Sequence, residues 1–201
     1  MEKKQQPDKR PLALPITLLI LVLSVMGNVL LYTKNIEHSQ NQSQKEGKAV
    51  FTSFEKARDV LNYWSGLADE AKALPADSSD EARLTSRYLA EAMERGKEPL
   101  EALFVKASEL EEAAFANAPA DFDAYIDKYR EPIKAIGDGS GSLTDAEHAA
   151  LDAAKSSFAE LDGMLAEFHF TGADDRNVLL RLSGGHDWLP IAEKLHKAIL
   201  K

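Results

Sequence analysis

Apolar residues follow two different patterns along the chain. Residues 11–33 contain no charged side chain and are predominantly apolar. At about 1.5 Å of rise per residue, a helix of this length crosses a hydrocarbon core of about 30 Å. From residue 49 to the C-terminus, apolar positions instead recur at intervals of three and four, which predicts amphipathic helices. Residues 34–48 are polar and predict a juxtamembrane stalk, and their pattern does not decide whether they are helical.

The first part of the helical domain predicts two long helices. One apolar stripe continues until Pro75, where the proline ends it. A second stripe starts behind Ser78 and Glu81, whose spacing of three is the pattern of a capping box. Gly96 and Pro99 interrupt this stripe, so we expect a kink or a break there.

The middle of the domain predicts two further helices. Pro119 closes the preceding segment, and residues 122–136 predict a short third helix with Pro132 as a kink point. The clearest apolar stripe covers residues 151–168 and follows a second capping-box pattern at Thr144–Glu147.

Two shorter helices complete the chain. They cover residues 174–182 and 187–200, are separated by Gly184 and Gly185, and the second has Asp187 as its N-cap. The sequence contains no strand pattern. Helices of this spacing with mostly short connections pack best as antiparallel neighbours. The predicted fold class is therefore all-α, with an N-terminal transmembrane helix followed by an antiparallel bundle of about four main and two shorter helices.

Charge is distributed unequally along the sequence. The formal net charge is -9, and residues 1–34 carry five Lys or Arg against two Asp or Glu, which leaves -12 for residues 35–201. An acidic surface repels phosphate backbones, so nucleic acid is excluded as a partner and a cationic or neutral one is favoured. The absence of cysteine excludes disulfides, thiolate metal sites and catalytic thiols.

The basic residues around the apolar segment predict its orientation. Four lie within residues 1–10, whereas three lysines are spread over residues 34–48, and positive charge is enriched on the cytoplasmic side of membranes. We therefore predict a cytoplasmic tail (1–10), a transmembrane helix in the lipid bilayer (11–33), the stalk, and an extracytoplasmic bundle (49–201). Such a single-pass protein of the cell membrane resembles a bacterial surface protein.

A cleaved signal peptide is the alternative interpretation of the apolar segment. Val25-Met26-Gly27 offers a small-residue cleavage site behind a short apolar core. The apolar run nevertheless continues to Tyr32, where a secreted protein would already have become polar. The sequence therefore favours a retained signal-anchor.

Three polar residues share one face of the predicted transmembrane helix. Thr17, Ser24 and Asn28 are seven and four residues apart. Hydrogen bonds between helices in lipid contribute about 0.6–2 kcal/mol each, so this face predicts contact with another membrane protein or self-association. Alternatively, the Ser and Thr hydroxyls bond back to their own helix and Asn28 lies near the outer interface.

The segment between the third and fourth predicted helices has the pattern of a calcium-binding loop. Within residues 138–147, Gly141 is central, the aliphatic Leu143 follows two residues later, and Glu147 is last. This segment resembles the last ten residues of an EF-hand loop. The resemblance implies four ligands: Asp138 and Ser140 through their side chains, Ser142 through its carbonyl, and Glu147 through both carboxylate oxygens.

The loop departs from the EF-hand pattern at its first ligand. The position where that family has an aspartate is occupied by Ile136, and no second loop of this kind is visible in the sequence. The alternative is a flexible Gly/Ser turn followed by a helix that Thr144 and Glu147 cap.

Other candidate groups for chemistry are scattered over the helices. Glu193 with His196, and Asp145 with His148, have the spacing of metal ligands in di-iron bundles. Their positions relative to the apolar stripes direct them away from the core, which predicts solvated surface pairs. The remaining histidines lack an accompanying nucleophile. We therefore predict that the protein is not an enzyme and has no cofactor.

Two functions remain compatible with this organisation. The first is a protein-interaction or scaffold module at the cell surface, whose partner is another membrane or cell-surface protein or a second copy of the chain. The second is a ligand- or ion-sensing domain that acts through a partner membrane protein, because the predicted cytoplasmic tail is too short to transmit a signal by itself.

Overall fold

The computed structural model describes residues 13–171 and 174–201, and within them all regular structure is helical, without strands. The described part contains eight α-helices: α1 (Ala13–Ala73), α2 (Ser79–Gly96), α3 (Glu98–Leu110), α4 (Glu112–Phe115), α5 (Ala118–Asp138), α6 (Asp145–Leu165), α7 (Arg176–Ser183) and α8 (Leu189–Ile199). A 3₁₀ turn at Ala76–Ser78 precedes α2. The predicted all-α fold, an apolar N-terminal helix followed by a helical bundle, is confirmed.

Helix α1 begins in the apolar segment and ends before Pro75, as the sequence predicts. From Ile16 onward it contains a stretch that is long and apolar enough to cross a membrane, and no part of that stretch is buried. The polar residues 34–48 all belong to α1, so the predicted stalk is helical. The predicted tail, residues 1–10, lies outside the described residues.

The contacts of the chain define two compact units, which divide after Gln42. The second unit, Ser43–Lys201, contains the helical bundle. It includes the last residues of the predicted stalk: Gly47 is buried, and Glu46 accepts a hydrogen bond from Lys106 of α3 at 3.2 Å.

Helices α1 and α6 of the bundle run antiparallel. Arg58 of α1 pairs with Asp162 of α6 at 3.1 Å, and further along, Trp64 of α1 packs on Phe158 with 5.3 Å between ring centroids. Residue numbers therefore rise along α1 as they fall along α6. Trp64 and Trp188 are fully buried, which confirms that both belong to the core.

Helices α2 and α5 lie very close together at Gly137. A Cβ atom at this position would lie 2.9 Å from the backbone N and Cα of Arg87. Such a contact is too short for a side chain, so glycine permits the two backbones to meet.

Helix α5 corrects two predictions. It has 21 residues and continues through Pro132, so the prediction of a short third helix is wrong. Pro119 lies in the first turn of α5, where a missing backbone donor is tolerated, and it therefore opens this helix rather than closing the segment before it.

Two predicted helix boundaries are confirmed. Helix α2 ends at Gly96 and α3 begins at Glu98, which gives the expected break. The capping box of α6 is also present, because the hydroxyl of Thr144 accepts from the backbone of Glu147 at 3.3 Å and the Glu147 carboxylate accepts from the backbone of Thr144 at 2.7 Å.

Two predicted caps are wrong. Ser78 precedes α2, but the 3₁₀ turn holds it at φ -102° and ψ 36°, and its side chain makes no capping hydrogen bond. Asp187 has a φ of 71° and its carboxylate pairs with Arg181, so Trp188 takes the N-cap position of α8.

Candidate interaction surface

Arg83 of α2 is the centre of a polar network in the bundle. Its side chain is 7% exposed, and its guanidinium lies inside the loop that joins α5 to α6. The carboxylate of Glu147 accepts from it through both oxygens. It also donates to four backbone carbonyls at 2.8–3.4 Å, those of Ile136, Ser140, Gly141 and Ser142. The loop that resembles a cation-binding loop thus encloses a cation of the chain itself.

The predicted calcium ligands are brought together only in part. Glu147 and the carbonyl of Ser142 surround the Arg83 guanidinium, whereas Asp138 accepts from Arg87 at the surface at 3.1 Å. Within residues 13–171 and 174–201, no group of three or more His, Cys, Asp or Glu side chains could hold a metal ion. Calcium binding stays a prediction. It requires oxygen atoms of Glu147 and Ser142 that already accept hydrogen bonds from Arg83.

The pKa of Glu147 reflects the same network. A hydrogen bond from Arg83 and a second one from the backbone of Thr144 stabilise the ionised carboxylate and lower its pKa from 4.5 to about 2. The carboxylate is therefore ionised at every physiological pH.

His196 lies deeper than its phase on α8 predicts. Its side chain is 14% exposed, its Nε2 lies 2.8 Å from a carboxylate oxygen of Asp121, and its ring packs near Phe104 and Phe115. The prediction of a solvated His196 is wrong because α3 and α4 cover this side of α8. Glu193 does remain at the surface, where it pairs with Lys197.

Large apolar side chains are exposed together at one place on the bundle. Tyr63 of α1 and Leu84 and Tyr88 of α2 are 59%, 47% and 56% exposed. We call these three residues the aromatic patch. Both tyrosines line a groove of about 430 Å³ between α1 and α2, with Leu67 and Ala92 at its base and Glu91 and Arg95 at its side.

The sequence did not reveal the aromatic patch. Tyr63 precedes the buried Trp64, and Tyr88 precedes the buried Leu89, so each tyrosine stands directly beside a core position. The only local signal is that both fall one position out of phase with the apolar stripe.

A second groove lies between α1 and α3, and its sides have opposite charge. It consists of two adjoining hollows of about 410 and 520 Å³ that share Ala49, Ser53, Glu98 and Ala102. On the α1 side are Lys45, Lys48 and Lys56, which we call the lysine edge. On the α3 side are Glu98, Glu101 and Glu109, which we call the glutamate edge.

The polar residues predicted to share a face of the apolar helix all lie on α1. Thr17, Ser24 and Asn28 are each exposed. No protein-family model, curated protein or solved structure matches the chain significantly. The function is therefore inferred from these surfaces alone.

Proposed function

We propose that the protein is a single-pass protein of the cell membrane, with its N-terminus in the cytoplasm, and that its extracytoplasmic bundle binds another protein through the aromatic patch. The apolar stretch of α1 and the basic residues that precede it support this arrangement. The bundle then serves as an interaction module that the anchor holds at the membrane surface.

The observation that carries the proposal is the clustering of Tyr63, Leu84 and Tyr88. Single exposed apolar residues are common on proteins, but adjacent large ones next to a groove are typical of protein-binding surfaces. Tyrosine is enriched in such surfaces because its ring buries a large area with little loss of side-chain entropy, while its hydroxyl still forms hydrogen bonds. The core beneath the patch is closed by Trp64 and Leu89, so the tyrosines are not needed to complete it.

The sides of the groove restrict the chemistry of the partner. Glu91 and Arg95 lie one turn apart on α2 and form an ion pair with 3.1 Å between them. Because this pair is at the edge of an apolar groove, a partner with a central apolar side chain and polar flanks fits it best. The exposed face of Thr17, Ser24 and Asn28 supports a partner that is itself embedded in the membrane.

The proposal is tested by site-specific photo-crosslinking in intact cells. A photoreactive aromatic amino acid replaces Tyr63 in the full chain, where the change in shape is small. We expect one discrete crosslinked product with a second protein, and we expect Tyr88→Ser to reduce its yield by at least about fivefold, because binding energy is concentrated in a few central aromatic residues.

Leu200 provides the matched control. It is 60% exposed at the C-terminus, outside the patch, and the same photoreactive residue there should give no such product. Equal yields at both positions, or a yield that Tyr88→Ser leaves unchanged, would contradict the proposal. Because the chain has no cysteine, Ala149→Cys adds a single thiol on the bundle, and its labelling by a membrane-impermeant maleimide on intact cells tests the topology.

A further inference from the structure

We propose that the groove between α1 and α3 is the interface through which two copies of this chain pair. The proposal rests on the proposed function in one respect, namely that both copies are anchored in the same membrane. The groove is separate from the aromatic patch, and its occupant is a second copy of the chain.

Charge is segregated across the groove. The lysine edge places three cations on the exposed side of α1, although residues 35–201 are strongly acidic as a whole, and one of them, Lys48, also pairs with Asp174 at 3.3 Å. Glu46 lies on the same stretch of helix but is directed toward α3, where it pairs with Lys106. The opposite side is lined by the three acids of the glutamate edge and by Lys106, which pairs with Glu109 at 2.9 Å as well as with Glu46. A partner for this groove must therefore present acids to α1 and bases to α3.

A second copy meets that requirement through a two-fold axis. A rotation by 180° about an axis parallel to the helices turns the groove of one copy toward that of the other, so that each α1 faces the α3 of its neighbour. Such a rotation leaves the height along the helices unchanged. Because Lys56 and Glu98 line the same hollow, Lys56 of one copy then lies level with Glu98 of the other.

The base of the groove suits close helix packing. The side chains at the base are small, because Ala49 and Ala102 are exposed there and Ser53 is half-buried. Side chains of this size allow the surfaces of the two copies to approach closely. Val105 is 40% exposed on the same side of α3 and would be covered in the pair. Apolar burial at the centre and complementary charges at the edges are the usual arrangement of a protein interface.

The apolar helix offers a second surface for self-association. The face formed by Thr17, Ser24 and Asn28 can hydrogen-bond to its own copy in the bilayer. For this reason, the test must separate pairing of the bundles from pairing of the membrane helices.

A charge-exchange experiment on the full chain makes this separation. One variant combines Lys48→Glu with Lys56→Glu, and the other combines Glu98→Lys with Glu101→Lys. Each variant has two edges of like charge and should repel itself, whereas an equimolar mixture again presents opposite charges at both contacts. Each protein carries Ala149→Cys, to which a donor or an acceptor dye is attached. The labelled proteins are reconstituted in liposomes, and their pairing is measured by fluorescence energy transfer.

We expect the wild type to show energy transfer that weakens with salt. The dissociation constant of each variant alone should be at least about tenfold higher than that of the wild type. The dissociation constant of the mixture should lie within about threefold of the wild-type value. Lys128→Glu with Lys134→Glu, both on α5, changes the net charge by the same amount and sign as the variant with Lys48→Glu and Lys56→Glu, and it should leave the transfer unchanged. Thermal unfolding midpoints close to that of the wild type confirm that both variants are folded.

Three results would overturn the inference. Variants that pair as well as the wild type would place self-association elsewhere, and a mixture that does not recover would refute the two-fold arrangement. A wild type without energy transfer would show that the groove does not bind a second copy. None of these results affects crosslinking at Tyr63, so failure of this inference remains distinguishable from failure of the proposed function.

Discussion

A single side chain, that of Arg83, connects α2 to the loop between α5 and α6. Replacing it in Arg83→Gln removes the positive charge opposite Glu147 and most donors to the loop carbonyls. Breaking a buried, hydrogen-bonded ion pair costs about 3–5 kcal/mol, and some solvent reaches Glu147, so we expect a loss of about 3 kcal/mol in the free energy of unfolding. Urea unfolding of the full chain in detergent, followed by the fluorescence of the two buried tryptophans, measures this loss.

Arg87 is the matched control, one helical turn further along α2. It is half exposed and donates to Asp138 and to the carbonyl of Gly137. Because exposed ion pairs contribute little, Arg87→Gln should lower the free energy of unfolding by less than about 1 kcal/mol. Equal losses for the two variants would show that the enclosed position of Arg83 has no special role.

The lowered pKa of Glu147 predicts a dependence of stability on pH. In the unfolded chain this carboxyl titrates near its ordinary pKa of 4.5, and in the folded protein at about 2. Its contribution to stability is therefore fully present above pH 4.5 and is lost as the pH falls toward 2. Between these values, the wild type should lose stability more steeply than Glu147→Gln, as judged by thermal unfolding midpoints, and parallel curves would contradict the assignment.

The network around Arg83 also shows what sequence reasoning could and could not find. Thr144 and Glu147 were recognised as a capping box because their interaction is local, and the loop was recognised as suited to a cation for the same reason. Arg83 is 64 residues away from Glu147 and, judged by its neighbours, resembles any basic residue of a surface helix. Only the packing of α2 on α5 brings the two together.

Helix α1 offers a paired test of close packing at the scale of one element. A Cβ atom at Gly47 would lie 1.9 Å from the carbonyl oxygen of Leu179 in α7, so the two helices could not keep their contact. We expect Gly47→Ala to lower the free energy of unfolding by about 1–3 kcal/mol, measured by the same urea titration.

Gly66, on the same helix, has no atom within 4 Å of an added Cβ. Gly66→Ala should therefore raise the free energy of unfolding by about 0.5–1 kcal/mol, since alanine favours a helix more than glycine. A stabilising Gly47→Ala, or equal effects at both positions, would mean that α7 is not held against α1 as described.

At the same scale, the spacing of apolar residues predicts where helices occur better than it predicts where they end. The stripes of α1, α2 and α6 were predicted because each repeats over several turns. Ser78 and Asp187 failed as side-chain caps because an N-cap requires an extended backbone, and the 3₁₀ turn before α2 and the positive φ before α8 exclude it.

At the scale of the whole molecule, the sequence predicts the architecture but not the surfaces that could bind a partner. A long uncharged segment and a set of amphipathic stripes are sufficient to predict an apolar helix followed by an all-α bundle. The aromatic patch combines residues of α1 and α2, and the groove between the two charged edges is formed by α1 and α3, so both exist only after α1 has packed against α2 and α3. The position of His196 beneath α3 and α4 was missed for the same reason.

The guanidinium inside the α5–α6 loop has a consequence for where such a domain can work. A protein that closes a loop on a divalent ion is complete only where its surroundings supply that ion. Here the positive charge belongs to Arg83, so every copy of the chain carries one, and the folding of α2 brings it to the loop. A loop closed in this way needs no ion from the medium to hold its shape, so we expect it to stay closed when a chelator is added.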